Sequence, residues 1–171
     1  MINKSCLIII DVQKGIFKLK QTVYDQAVFI NNLKKILLSA QKHNIKTIYT
    51  QHENASFLLR GSEDWEIIDE LKSVNRDDLI INKKHPSIFK NTCLLDLLNQ
   101  NKIETLYICG LISNGCIKDT CLDGLKNGFN IVLISDAHST FYKNAEKIIA
   151  DINKYLDSQG VKLKKTIELW E

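Results

Sequence analysis

The chain has 171 residues, 44% hydrophobic and 25% charged, which suits one folded domain over residues 1–171 and excludes a mainly disordered protein. Its 23 basic and 20 acidic residues leave a formal charge of +3, and only Arg60 and Arg76 are arginines, so nothing points to nucleic acid as a partner. No apolar run reaches the ~18–20 residues that cross a bilayer, and Cys6–Ile10 is too short for a signal-peptide core, so the expectation is a cytoplasmic protein with no membrane partner.

Ser5–Ile10 is a short, nearly continuous apolar run ended by Asp11, the pattern of a strand buried on both faces. Gln26–Gln41 has helical spacing, with Val28, Leu33, Ile36, Leu37 and Ala40 on one side. Ile45–Thr50 and Leu79–Asn82 read as the second and third strands. Between them, Glu53–Val74 is the least regular stretch, suited to a lid or an oligomer contact, and it holds Trp65. Asn91–Asn99 reads as a helix, and Thr105–Cys109 as a strand that stops at Gly110. Cys116–Lys126 is a helix closed by Asn127 and Gly128. Asn130–Ser135 is a strand followed by Asp136, Lys143–Leu156 an amphipathic helix, and Val161–Ile167 a final strand.

This alternation predicts a three-layer α/β/α domain with a mostly parallel, about six-stranded, Rossmann-like sheet. Sites in such sheets lie at the carboxyl ends of the strands. Those ends here carry Asp11, Gln51-His52-Glu53, Asn82-Lys83, Gly110 and Asp136.

Several chemistries are disfavoured. The five cysteines (Cys6, Cys93, Cys109, Cys116, Cys121) are odd in number and include no Cys-x-x-Cys, so free thiols are expected rather than a disulfide framework or zinc knuckle. Gly110–Gly115 has the glycine spacing of a phosphate loop, but Cys116 and Ile117 stand where Lys and Ser or Thr are needed. The turn from Asp11 to Gly15 lacks the dinucleotide fingerprint, and no cofactor is expected. Gln51, His52 and Glu53 make a weak metal set, because adjacent strand side chains point to opposite faces, and no metal site is expected.

Three strand ends remain that offer chemistry. Cys116 follows the Gly110 turn and opens a helix, where the dipole and unpaired amides would lower a thiol pKa and could hold an oxyanion. Asp11, directly after an apolar strand, is costly to bury unless paired. Lys83 also follows an apolar strand. Singly, each reads as readily as a packing thiol, a turn residue or a surface lysine. Together they place a nucleophile, an acid and a cation at one sheet edge.

At these residues the sequence resembles the isochorismatase-like cysteine hydrolases, which include nicotinamidases and related amidases. Four segments carry the resemblance, in family order: Leu7–Gln13; Tyr49–Asn54 followed by Gly61–Ile67; Lys83–Phe89 with Thr92 and Leu95; and Cys109–Ile117 with Thr120, Gly128 and Asp136-Ala137-His138. The resemblance implies a catalytic triad of Asp11, Lys83 and Cys116, with Lys83 preferred over Lys84 by its spacing to Ser87 and Phe89. It also implies a cis peptide between Leu111 and Ile112 that turns the Ile112 amide into an oxyanion hole beside the Cys116 amide, and a homo-oligomer, dimer or tetramer.

Nicotinamidases bind a metal through an Asp-x-His pattern and a later His. The matching stretch here is Gln51-His52-Glu53, with no His between His52 and His85, which disfavours nicotinamide as substrate. Isochorismatases proper cleave a vinyl ether without a cysteine, and Cys116 argues against that branch.

The expected activity is therefore a cysteine hydrolase that cleaves the C–N bond of a small-molecule amide through a Cys116 thioester. The alternatives are a non-catalytic binding or assembly module on the same fold and, less favoured, a flavodoxin-like or redox-thiol protein. Gln13, Phe17, His52 and Trp65 are candidate pocket residues. Ser113 and Asn114 are expected as caps of the Cys116 helix, and His138 as structural.

Overall fold

A computed structural model describes residues 4–72 and 78–170 of the chain; the end of the irregular Glu53–Val74 stretch lies outside them. Strand β1 (Ser5–Ile10) is buried at every position. Its run of Ile and Leu has no polar face to turn to water, so it needs a neighbour on both edges and a layer on both faces. It pairs in parallel with β2 (Lys46–His52) and β4 (Thr105–Leu111). β3 (Leu79–Lys83) extends one side and β5 (Asn130–Ser139) and β6 (Lys162–Lys164) the other, giving the order β3-β2-β1-β4-β5-β6, parallel throughout.

The strand period divides the core in two. Leu7 and Ile9 face Phe29, Leu33, Ile36 and Ala40 of α2 (Gln26–Lys42). Cys6, Ile8 and Ile10 face the opposite layer, built from α3 (Leu94–Gln100), α4 (Lys118–Lys126) and α5 (Ala145–Ser158). A short helix, α1 (Lys14–Phe17), follows β1.

The elements differ from the sequence expectation mostly at their ends. Val28 is half exposed, because the buried stripe of α2 runs through Phe29, one position further round the helix. α3 starts at Leu94 rather than Asn91, with the Leu94 amide donating to the Thr92 hydroxyl at 3.2 Å. The last strand is only Lys162–Lys164. It borders the sheet with one neighbour, and a 3₁₀ turn at Thr166–Glu168 leaves Ile167 80% exposed. β5 runs on to Ser139, past the expected end at Ser135, because its ladder with β4 breaks and resumes. The helix expected to open at Cys116 begins instead as a π-helical turn, Ser113–Ile117, and becomes α-helical only from Lys118.

Candidate active site

Parallel pairing brings the carboxyl ends of β1, β2, β3 and β4 to one edge. Asp11 leaves β1 with a left-handed backbone (φ 51°), which an aspartate tolerates better than most residues. Its amide donates to the Thr50 hydroxyl at 3.1 Å, and that hydroxyl donates back to Asp11 Oδ1. Lys83 ends β3 with its Nζ 2.6 Å from Asp11 Oδ2. Both residues are only 2% exposed. A buried carboxylate and a buried ammonium are each costly alone, and the pair removes most of that cost. Lys83 Nζ also donates to Cys116 Sγ at 3.2 Å, and to the carbonyls of His85 at 3.2 Å and Pro86 at 3.1 Å.

The peptide bond between Leu111 and Ile112 is cis. The Cys116 turn leaves β4 directly after it, and the Ile117 amide donates back to the Ile112 carbonyl at 3.2 Å. Cys116 is half-buried. Burial, followed by the Asp11 carboxylate, pushes its thiol up to about 12, against an opposing pull from Lys83. This corrects the expectation of a lowered pKa. Position at a helix start is visible in sequence, but the desolvation and adjoining carboxylate that outweigh it come from other strands. Burial alone would depress the Lys83 ammonium, but the Asp11 carboxylate, followed by its contact with Cys116, outweighs it and holds its pKa above the ordinary lysine value.

The candidate pocket residues separate into distinct roles. His52 Nδ1 lies 3.4 Å from Lys83 Nζ, and burial followed by the Lys83 charge depresses its pKa. Gln13 is fully buried and consumed by backbone: its Nε2 donates to the carbonyls of His52 at 3.0 Å and Trp65 at 2.8 Å, and its Oε1 accepts from the His52 amide at 2.8 Å. It ties the ends of β1 and β2 to the Trp65 turn. The Trp65 carbonyl also accepts from Gln51 Nε2 at 2.9 Å, so Gln51 points away from Asp11, Lys83 and Cys116. Phe17 packs on the α2 layer and lines a separate groove with Lys14, Ile30 and Ile68, which includes none of Asp11, Lys83 and Cys116. Asp136 does not join the site either; its carboxylate accepts from the Thr166 amide and hydroxyl, both at 2.8 Å.

Asp11, His52 and Cys116 each offer one metal-ligating atom, and these atoms lie within 4.8 Å of one another. The Lys83 ammonium already touches one atom of each. A divalent ion there would meet that positive charge at contact distance, so the residues present do not fit a metal.

Thr50 was not singled out from the sequence. Its value depends on the register of β1 against β2, in which Ile9 stands beside Tyr49 and so brings Thr50 level with the turn at Asp11.

A protein-family model described as the isochorismatase domain matches residues 5–154. The chain belongs to the isochorismatase family. It is 32% identical to the uncharacterised isochorismatase family protein YrdC of Bacillus subtilis over 143 residues, covering 82% of this chain and 76% of that one. It is 34% identical to the ureidoacrylate amidohydrolase RutB of Acinetobacter baylyi over 94 residues, covering 54% of this chain and 38% of that protein. A crystal structure of an isochorismatase family protein superposes with a TM-score of 0.90 at 24% identity, covering 96% of this chain and 100% of the other. This family fold is the six-stranded parallel sheet with flanking helices described above.

Proposed function

We propose that this isochorismatase-family chain is a cysteine hydrolase that cleaves the C–N bond of a small-molecule amide, with Asp11, Lys83 and Cys116 as its catalytic residues. One observation carries the reading: a single buried ammonium, Lys83 Nζ, bridges a carboxylate at 2.6 Å and a thiol at 3.2 Å. The relatedness to an amidohydrolase supports amides as the substrate class.

In this mechanism Asp11 takes the proton from Cys116 as the sulfur attacks the amide carbonyl carbon. The carbonyl oxygen gains charge and is held by the amides of Ile112 and Cys116. The C–N bond then breaks as Asp11 delivers its proton to the leaving nitrogen. Water attacks the resulting thioester, losing a proton to Asp11. The C–S bond breaks, the carboxylic acid leaves, and the proton returns to sulfur. A thiol with a pKa of about 12 stays protonated until substrate arrives, so the proton transfer to Asp11 accompanies attack rather than preceding it. Lys83 compensates charge on both partners throughout.

The test is a panel of small primary and secondary amides, assayed for amine release and for an acyl adduct on Cys116 by mass spectrometry. Cys116→Ala is expected to lose at least about 10³-fold in turnover and all of the adduct. Full turnover in Cys116→Ala or Cys116→Ser would sink the proposal.

A further inference from the structure

The turn that carries Cys116 is held from one side by the end of β5. In the β4–β5 ladder Ile108 pairs with Leu133 and Gly110 with His138, so two steps along β4 are matched by five along β5. This bulge re-aims the end of β5 and delivers His138 and Thr140 to the Ser113–Ile117 turn. His138 is 3% exposed and takes no part in the Asp11–Lys83 ion pair. Its Nδ1 lies 2.9 Å from the Ser113 hydroxyl and its Nε2 lies 2.9 Å from Asn153 Oδ1.

The network sets the direction of each bond. Asn153 Nδ2 donates to the Ser135 carbonyl at 3.3 Å, so the amide oxygen faces the imidazole. Nε2 therefore carries the proton, and Nδ1 accepts from Ser113. Two residues on, the Thr140 hydroxyl donates to Asn114 Oδ1 at 3.2 Å. The first two residues of the turn are thus fastened to β5, and through Asn153 to α5. The kink at Gly115 (φ −131°, ψ −107°) follows immediately and then the nucleophile. Ser113 and Asn114 make no side-chain cap at the helix start and serve this strap instead.

We propose that His138 is a positioning residue: by accepting from Ser113 it fixes the Ser113–Ile117 turn and so holds Cys116 at the distance from Asp11 and Lys83 that proton transfer requires. The inference rests on the cysteine-hydrolase reading. A buried histidine that only fills space would leave the electrostatic coupling between Asp11 and Cys116 unchanged when its hydrogen bond is removed. A positioning residue would not.

The experiment measures that coupling. Alkylation of Cys116 by iodoacetamide is followed by mass spectrometry between pH 7 and 9, with the exposed Cys93 as an internal reference. In this range the rate tracks the thiolate fraction. Asp11→Asn removes a charge that raises the thiol pKa, and it is expected to raise the parent rate about tenfold.

In Ser113→Ala and in His138→Gln, which keeps a group toward Asn153 but none at Nδ1, the same Asp11→Asn change is expected to give about threefold or less. His138→Asn, whose amide reaches the Nδ1 position, is expected to restore the parent ratio. A parent ratio retained in Ser113→Ala and His138→Gln overturns the positioning role. Equal losses in all His138 variants with none in Ser113→Ala also overturn it, assigning the residue to packing. A parent in which Asp11→Asn leaves the rate unmoved overturns the triad reading, and the inference with it. Ser113→Ala removes one oxygen atom and keeps the test usable should the histidine variants fold poorly.

Discussion

Lys83 is the residue on which the candidate site depends, because its ammonium faces two groups that respond to it in opposite ways. It favours the charged form of Cys116, whereas Asp11 disfavours it. Asp11→Asn should therefore lower the Cys116 pKa from about 12, and Lys83→Met should raise it further, a pair of opposite shifts readable by alkylation rate against pH. Lys83→Met also leaves the Asp11 carboxylate buried without its cation, and should destabilise the fold by about 3–5 kcal/mol in denaturant titration. Pairing it with Asp11→Asn removes the orphaned charge and should recover a good part of that loss. Asp11 and Lys83 were legible as candidates because each closes or follows an apolar strand, where a charged side chain stands out, and Cys116 because it follows the Gly110 turn at the expected start of a helix. The direction of the thiol shift was not legible, since it is set by burial and by Asp11, 105 positions away in the chain. Thr50 and the strap from His138 to Ser113 were hidden for the same reason: each is a partner chosen by strand register.

Among the elements, the junction of β1 and β4 leaves the least room. Gly110 has φ 116°, and a Cβ there would lie 2.2 Å from the Ile10 carbonyl oxygen and 2.6 Å from the Ile10 nitrogen. Both are backbone atoms in the centre of the sheet and cannot move aside. Gly110→Ala should cost more than about 4 kcal/mol, or prevent folding, as judged by soluble yield and thermal unfolding. Gly124 in α4 gives the contrast. Its added Cβ would meet Ile131 Cδ1 at 2.5 Å, the far end of a flexible side chain. The overpacking there is partly offset by better helix propensity, so Gly124→Ala should change stability by no more than about 2 kcal/mol in the same measurement. Strand identities were readable from their apolar runs, and β1 kept its expected bounds. Ends were less readable where a tertiary partner sets them. β5 continues because its ladder with β4 resumes after the bulge, and β6 stops early at the sheet border.

At the scale of the whole molecule, the buried imidazole makes stability depend on pH. Burial holds the His138 pKa at about 4, below its ordinary 6.5, so the unfolded chain binds a proton that the folded chain refuses between these values. The stabilising contribution is fully present above pH 6.5 and is lost as pH falls toward 4, reaching about 3 kcal/mol. His52 is depressed as well and acts in the same direction. Urea unfolding at steps from pH 7.5 to 4.5 should show this decline, and His138→Asn should flatten it relative to the parent. A parent and variant with parallel profiles would show that the imidazole titrates normally in the fold.

By itself the sequence determined the fold class, the parallel sheet, the strand ends that carry Asp11 and Lys83 and the turn that carries Cys116, because apolar runs, helical spacing and glycine turns are local properties of the chain. Tertiary structure alone decided which of the strand-end groups meet. It set Lys83 among Asp11, His52 and Cys116, turned Gln51 and Asp136 away, and tied His138 to the turn that carries Cys116. The reason is physical: strand order, register and one bulge choose those neighbours, and each depends on pairing between segments far apart in the chain.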